Sequence, residues 1–261
     1  MDSMLVFDRR AVRRHRDRAA RTIHLLADVL RDAAERLLDR LDDTNRRFTD
    51  ALDLGGRGAV APLLRQRGLR VISADLSPGM AALNATACVA ADEECLPFAA
   101  ASFDLIVASL SLHWINDLPG ALLQLRHALR PDGLLLASLP VLGTLAELRA
   151  ALSEAEAETA GGVSPRISPF PELRDCANLL QRAGFVLPVA DVEDIRLLYA
   201  DPAAVLTDLR AAGETNAVRQ RDRAIPPRAL FPTALARLPL QDGRVAVTLR
   251  MAVMTGWAPG R

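Results

Sequence analysis

The sequence predicts an α/β protein with a doubly wound, mostly parallel sheet of seven strands and an antiparallel edge. From Ala51 onward, short apolar runs alternate with helix-like stretches. The runs are apolar at successive positions, which is typical of parallel strands covered by helices on both faces. Two further strand-like runs, at 185–200 and 244–259, flank one helix-like stretch and predict the antiparallel edge.

The composition is that of one large globular domain without a dominant charge. The 261 residues include 32 Lys+Arg and 32 Asp+Glu, so the composition predicts no nucleic-acid partner. The cysteines, Cys88, Cys95 and Cys176, form no C-x-x-C pair, which argues against a zinc site or a disulfide framework. We expect them to be small buried side chains. Long apolar runs are missing and acids accompany the first arginines, so a cytoplasmic protein without stable membrane insertion is expected.

Two amphipathic helices are predicted before the first strand. Apolar side chains recur at helical spacing between residues 11 and 41, with charged residues between them. We therefore expect residues 1–48 to form an N-terminal helical cover and residues 49–261 to form the main domain. The arginines of "RRAVRRHRDR" offer positive charge to a carboxylate or to an acidic partner.

Five buried strands are predicted next. They are "ALDLG", "VISAD", "CVAAD", "FDLIVASL" and "GLLLASLP". Helices are expected near 58–67, after Ser77 and near 118–129. The tetrapeptide "RPDG" at 130–133 contains strong turn formers, and it predicts a turn between the last of these helices and the fifth strand.

An insert follows the fifth strand. Residues 144–158 are rich in Ala, Glu and Leu and predict a helix, "GGVSPRISPFPE" then introduces turn formers, and a second helix near 172–183 ends at Gly184. We interpret residues 143–172 as an inserted lid, with 161–170 as its substrate-facing part. The alternative is that 161–170 is only a connecting loop.

A glycine cluster directly follows the first strand. The strand ends at Asp53, Gly55, Gly56 and Gly58 come next, and a helix begins after them. In this context backbone N–H groups at a helix start can meet a polar ligand, because no Cβ stands in the way. A tight turn made for packing alone is the alternative. Compared with an Asp-x-Gly-x-Gly-x-Gly loop, one residue is missing between Gly55 and Gly56, so we expect weakened cofactor binding.

Carboxylates end the next two strands as well. Asp75 closes the second strand, where a carboxylate can accept hydrogen bonds from ribose hydroxyls. Asp92 and Glu93 close the third strand, where a carboxylate can accept a hydrogen bond from the adenine amino group. A turn acid without a ligand is the alternative for Asp75. Together with Asp53 these acids predict a negative rim, which favours a cationic sulfonium over the pyrophosphate of NAD. The predicted cofactor is S-adenosylmethionine.

Long stretches of the chain resemble the class I S-adenosylmethionine-dependent methyltransferases. The likeness is carried by "ALDLGGRGAVAPLL", "ADLSPGM", "ADEECLPF", "FDLIVASLSLHWINDLPGAL" and "LRPDGLLLASL". It is greatest for the branch that holds the malonyl-carrier-protein methyltransferase of biotin synthesis and the mitochondrial complex I assembly factor described as a protein arginine hydroxylase. The second of these is also similar in "FDRRAVRRHRDRAA", "GGVSPRISPF", "DLRAAGETNA" and "TGW", outside the cofactor motifs.

The resemblance implies a Rossmann-like methyltransferase fold and assigns roles to individual positions. The glycines would flank the methionine part of the cofactor, and Asp75 with Leu76 would meet the ribose. Asp92 with Glu93 would border adenine. Ser109 and Leu110 would lie near the transferable methyl group. His113 and Trp114 are the candidate catalytic pair, and an aromatic pair that only seals the strand end is the alternative.

The resemblance also implies an acceptor, namely a protein arginine in a complex I subunit. Hydroxylation needs an oxidant that S-adenosylmethionine does not supply. The only His-x-Asp sequence, His15 to Asp17, would place its side chains in different directions on a helix, so no metal site is predicted. A carboxyl or small-molecule methyltransferase acting on a carrier protein or free acceptor is the second hypothesis. A non-catalytic assembly chaperone is the third.

Overall fold

The computed structural model describes residues 5–84, 86–160 and 162–260. Residues 1–4 of the expected cover and residue 161 of the expected lid lie outside this part of the chain. The two predicted N-terminal helices are present as α1 (Arg9–Ala19) and α2 (Ala27–Leu38). Helix α1 begins after Asp8, whose side chain accepts the N–H of Ala11 and caps the first turn.

The predicted doubly wound sheet is confirmed. Its strands are β1 (Asp50–Leu54), β2 (Arg70–Asp75), β3 (Cys88–Ala90), β4 (Phe103–Ser109), β5 (Leu129–Pro140), β6 (Val186–Tyr199), β7 (Leu240–Gln241) and β8 (Arg244–Trp257). They are ordered β3-β2-β1-β4-β5-β8-β6, and β8 runs antiparallel to both of its neighbours. Strands β1 to β5 pair in parallel, which brings their carboxyl ends to one edge.

Among the residues that the structure describes, the sheet has eight strands, so the prediction of seven was one strand short. The extra strand, β7, has two residues and pairs only with β8. Asp242 and Gly243 between them both have positive φ, as a tight hairpin turn requires. Strand β5 also begins earlier than predicted, because the expected turn at 130–133 is built into the strand as an irregularity, with Asp132 at φ 60°.

In the described part of the chain, seven α-helices follow the N-terminal pair: α3 (Val60–Gln66), α4 (Pro78–Ala81), α5 (Leu118–Ala128), α6 (Ala146–Ala160), α7 (Leu173–Arg182), α8 (Pro202–Ala211) and α9 (Leu230–Ala236). All but α9 were predicted. Helix α9 is short and contains Pro232, which masks the helical pattern in the sequence. None of the helices among the described residues has the length and apolarity to cross a membrane.

Helices cover both faces of the sheet. One core cluster places α5 and α7 against strands β1, β4 and β5, and a second places α2 and α3 against the opposite face. Of the cysteines, Cys176 lies in the first cluster, whereas Cys88 and Cys95 are exposed, so the expectation that all three are buried was wrong. Cys88 is exposed because β3 is a short edge strand.

A third cluster joins α6, α8 and α9 over the ends of β6 and β8. The connection after α6 is held to it, since Glu156 accepts hydrogen bonds from Ser164 and Arg166. The insert at 143–172 is therefore packed onto the main domain through α6. It forms a roof beside the carboxyl edge of the sheet.

Candidate cofactor and acceptor site

The glycine loop lies tightly against its neighbours at the end of β1. Gly55 has φ 69°, and its N–H donates to the carbonyl of Ala74 at 2.7 Å. A Cβ on Gly55 would lie 2.5 Å from the Cβ of Ser111, and a Cβ on Gly56 would lie 2.1 Å from Oδ1 of Asp53. Both positions therefore require glycine.

The shortened loop turns Arg57 inward. Arg57 adopts φ 50° and Gly58 adopts φ 90°, so two successive residues lie in the left-handed region. The Arg57 guanidinium is buried, donates to the carbonyl of Leu110 at 2.7 Å, and pairs with Glu214 at 2.5 Å. The loop is thereby connected both to the end of β4 and to the segment after α8.

Asp53 supports the loop from below. Its side chain is buried, and the backbone N–H groups of Gly56 and Ala61 interact with it, as does the Ser73 hydroxyl at 3.4 Å. Burial raises the pKa of this carboxyl from its ordinary 3.8 to about 7, against the effect of these hydrogen bonds. Asp53 organises the turn and does not belong to an exposed negative rim, contrary to our expectation.

The raised pKa of Asp53 predicts a pH-dependent stability. Between pH 3.8 and about 7 the unfolded carboxyl is ionised while the folded one keeps its proton, so the native state loses stability as the pH rises. We expect Asp53→Asn, which cannot ionise, to gain about 2–3 kcal/mol relative to the parent between about pH 5 and pH 8. Urea unfolding at the two pH values measures this, and a pH-independent difference would contradict it.

Arginines from α1 neutralise the other strand-end acids. The Arg16 guanidinium, only 1% exposed, lies 2.7 Å from Glu93 and 3.5 Å from Asp75, and it donates to the carbonyl of Ser111 at 3.2 Å. Arg9 pairs with Asp92 at 2.6 Å and with Glu93. The predicted negative rim is therefore neutralised among the described residues, because the arginines of α1 meet these carboxylates.

The site fits a nucleoside through polar atoms that it leaves free. Asp75 receives the N–H of Ser77 and faces Arg16 with Oδ1, whereas its buried Oδ2 has no hydrogen-bond partner among the described residues. The Ser111 hydroxyl, beside Gly55, is also buried without a partner there. A free carboxylate oxygen next to a glycine turn suits ribose hydroxyls. Burial raises the pKa of Asp75, and Arg16 opposes that shift.

The predicted ribose and methyl-proximal residues surround this position. Leu76, the neighbour of Asp75, is buried against Phe7 and Val12. Ser109 and Leu110 end β4, and Leu110 is held with φ 50° by hydrogen bonds from its N–H to Ser138. The structure thus brings the glycines, Asp75 and the end of β4 together. Asp92 lies at the exposed margin, paired with Arg9.

The candidate pair His113 and Trp114 converges on Glu214. His113 Nε2 lies 2.7 Å from Oε2 of Glu214, and Trp114 Nε1 donates to the same oxygen at 2.6 Å. Arg57 binds the other oxygen. Burial alone would raise the pKa of Glu214, but the neighbouring charges of His113 and Arg57 outweigh it and lower the pKa.

A cavity of about 310 Å³ adjoins this cluster. Arg57, His113 and Glu214 lie in its wall, and Tyr199 and Asp208 add a second polar pair. The rest of the wall is largely apolar and comes from α6, the segment after it, α8, α9 and β8, including Leu148, Leu152, Phe170, Leu206, Leu209, Phe231 and Val247. A partly enclosed apolar cavity that touches a cofactor loop is suited to hold an acceptor.

The residues of this site that were not predicted individually include Arg16, Arg57 and Glu214. Arg16 was one of many arginines in α1, and Arg57 is the one non-glycine residue in "GGRG". Glu214 lies within "DLRAAGETNA", a stretch noted only as a resemblance. No metal site was predicted, and among the described residues no group of three His, Cys, Asp or Glu side chains is arranged to hold a metal ion.

Ligand binding can be tested directly. We expect S-adenosylhomocysteine to raise the melting temperature and NAD to leave it unchanged, because Asp75 and the glycine turn suit a nucleoside but offer no free positive site for pyrophosphate. Asp75→Asn should weaken S-adenosylhomocysteine binding by about 1–3 kcal/mol through the loss of charge-assisted hydrogen bonds. Calorimetry on both proteins measures this. Stabilisation by NAD, or full affinity in the variant, would contradict it.

Sequence comparisons agree with this geometry. Residues 52–137 match a family model described as a methyltransferase domain. The chain is 38% identical to the mitochondrial arginine-hydroxylase NDUFAF5 of Danio rerio, over 98% of this chain and 84% of that protein. It is 35% identical to the malonyl-[acyl-carrier protein] O-methyltransferase of Methylovorus sp. (strain MP688), over 99% of this chain and 91% of that protein.

Solved structures share the fold at low sequence identity. The YcgJ protein of Bacillus subtilis superposes with a TM-score of 0.60 at 13% identity, over 87% of this chain and 99% of that one. The [4+2]-cyclase SpnF superposes with a TM-score of 0.52 at 17% identity, over 88% and 83% of the two chains. At these identities the likeness concerns the fold alone.

Proposed function

The chain belongs to the S-adenosylmethionine-dependent methyltransferase family, and from this we propose that it modifies a protein arginine in a subunit of respiratory complex I. One observation carries the proposal. Arg57, in the glycine loop, forms an ion pair with Glu214, and both residues line the cavity. The near full-length similarity to proteins named arginine-hydroxylase supports this choice of acceptor.

The cavity suits an arginine side chain in two respects. Its apolar wall, from residues such as Leu148 and Leu206, can pack against the aliphatic stem. The carboxylate of Asp208 lies in the same wall, where it can accept hydrogen bonds from a guanidinium. A protein substrate would insert this one side chain into the cavity, whose wall includes residues of α6, α8 and α9.

We propose methyl transfer as the reaction, since the cofactor supplies a methyl group on a positively charged sulfur. Asp75 and the glycine loop would hold the cofactor, and α1 would cover it. The residues of the cavity would orient the acceptor, because transfer to a nucleophile depends mainly on proximity and alignment. Hydroxylation, the activity in the relatives' name, requires an oxidant in addition to this cofactor.

Carboxyl methylation of a carrier-protein-bound acceptor is the second candidate. It is supported by relatives named malonyl-[acyl-carrier protein] O-methyltransferase, at 35–36% identity over nearly the whole chain. Arg57 and Arg166 line the cavity and could bind a carboxylate. Both are already paired, Arg57 with Glu214 and Arg166 with Glu156, and Glu214 is engaged in the same way, so the pairing does not separate the two acceptors. A chaperone without catalysis is the third candidate.

Mass spectrometry of complex I subunits from a deletion strain and its parent tests the proposal. We expect one arginine to carry a methyl group in the parent and to lack it in the deletion strain, and the purified chain with S-adenosylmethionine to restore it. An added oxygen would indicate hydroxylation, and a methylated carboxyl group would indicate the carrier-type reaction. Unchanged subunits together with normal assembly would overturn the proposal.

We also propose that the protein works in the cytoplasm and modifies its substrate before assembly. Fractionation of cells that express the tagged chain tests this location. Recovery of the tag in a mitochondrial or membrane fraction would contradict it.

A further inference from the structure

His113 has one engaged and one free ring nitrogen. Its Nε2 lies 2.7 Å from Glu214, whereas Nδ1 is buried and has no hydrogen-bond partner among the described residues. The side chain is only 4% exposed, yet the residue borders the cavity that we assign to the acceptor. The free nitrogen therefore belongs to a ring that contacts the acceptor space and is shielded from bulk solvent.

Glu214 determines which nitrogen of His113 carries the proton. Its carboxylate also receives the Trp114 indole N–H and the Arg57 guanidinium, so it is held in place from three directions. The contacts with Arg57 and Trp114 stabilise an ionised Glu214, and an ionised carboxylate beside Nε2 favours a hydrogen on that nitrogen. In neutral His113, Nδ1 then keeps its lone pair and can accept a proton.

We propose that His113, oriented by Glu214, is the general base of the reaction, and that the acceptor is a nucleophile bearing an N–H or O–H proton. This inference rests on the proposed function and specifies the chemistry at its site. Glu214 is a positioning residue in this scheme, because it acts through the imidazole.

The atoms and charges of the transfer balance with these groups. The lone pair of the acceptor atom forms a bond to the methyl carbon, and the bond from that carbon to sulfur breaks with its electron pair moving to sulfur. The acceptor proton passes to Nδ1 of His113. The resulting imidazolium is stabilised by Glu214, and solvent removes the proton after product release.

An acceptor carboxylate would not use this group. A carboxylate at neutral pH has no proton to lose on methylation, so a base beside it would be idle. The His113 and Glu214 arrangement thus favours a guanidinium over a carrier-bound carboxyl group. The charged and titratable groups around His113 include Glu214, Arg57 and Arg16 and, across the cavity, Tyr199, Asp208, Arg166 and Arg210.

The tautomer of His113 can be measured without turnover. Protein labelled with ¹⁵N-histidine and saturated with S-adenosylhomocysteine should show, by long-range ¹H–¹⁵N NMR across a pH titration, that the neutral form of His113 has an unprotonated Nδ1 and a protonated Nε2. His113→Asn identifies the signal, since the sequence has four histidines. In Glu214→Gln the preference for protonated Nε2 should weaken. A protonated Nδ1 in the neutral form of the parent's His113 would overturn the inference, whatever the acceptor is.

Turnover of the subunit identified by mass spectrometry gives the second readout. His113→Asn should lower kcat about 10²- to 10⁴-fold, the usual contribution of a general base, with nearly unchanged affinity for S-adenosylhomocysteine. The rise of kcat with pH should disappear in this variant. His127→Asn, an exposed histidine on α5, is the control and should behave as the parent. Full kcat in His113→Asn with arginine methylation intact would overturn the inference alone, whereas a methylated carboxyl group would overturn both the proposed function and the inferred acceptor.

Discussion

Replacing Arg16 with methionine is expected to lower both the stability of the protein and its affinity for S-adenosylhomocysteine. Removing one partner of a buried ion pair costs about 3–5 kcal/mol, and here it leaves Glu93 and Asp75 without their common cation. Without Arg16 the pKa of Asp75, already raised by burial, should rise further, so that a larger fraction of the carboxyl is protonated at a given pH. A protonated carboxyl is the weaker acceptor for ribose hydroxyls.

This explanation requires a pH-dependent loss of binding. In Arg16→Met the affinity should recover as the pH is raised and Asp75 ionises, whereas a general loosening of the fold would not recover. Calorimetric titration with S-adenosylhomocysteine from neutral to alkaline pH measures the difference. Arg10→Met, an exposed arginine on the same helix, is the matched control. Tighter binding in Arg16→Met would show instead that Arg16 competes with the ligand for Asp75.

Gly56→Ala is expected to have the second large effect. The new Cβ would lie 2.1 Å from Oδ1 of Asp53 and 2.8 Å from the Cβ of Val60, so the loop must move away from β1 or α3. Overpacking of this kind costs about 1–3 kcal/mol. Because Gly55 and Arg57 would move with the loop, binding of S-adenosylhomocysteine should fall below detection while the rest of the fold remains intact.

Circular dichroism tests whether the fold remains intact, and calorimetry tests whether S-adenosylhomocysteine binding is lost. The variant should keep its secondary structure, melt at a lower temperature and give no binding heat. Gly162→Ala is the control, since nothing lies within 4 Å of a Cβ there. Wild-type affinity in Gly56→Ala would mean that the glycine loop does not form the cofactor site.

The sheet was predictable because each of its parallel strands can be recognised from a short stretch of sequence. Each buried parallel strand is a short apolar run, and the helices between them have their own period and caps, so neighbouring residues are enough to recognise them. The exceptions have local causes. Strand β7 has two residues, which is too short for any pattern, and Pro232 interrupts the pattern of α9.

The sequence predicted which residues of the site carry charge, but not which of them are buried or paired. Asp53, Asp75 and Asp92 all end strands and look alike in the sequence, yet Asp53 is buried under the loop and Asp92 is partly exposed beside Arg9. What distinguishes them is the position of α1 and of the segment after α8. The contact between His113 and Glu214 spans 101 residues, and no spacing rule in a single sequence predicts such a pair.

Helix α1 and the segment after α8 are attached to each other as well as to the site. Phe7 bridges to Val218, the N–H of Asp8 donates to the carbonyl of Ala217, and Gly213 lies against α1. We therefore expect a displacement of α1 to move the wall that carries Glu214 as well. Binding of a nucleoside under α1 and binding of an acceptor in the cavity would then be linked, and each ligand would tighten the binding of the other by the same factor.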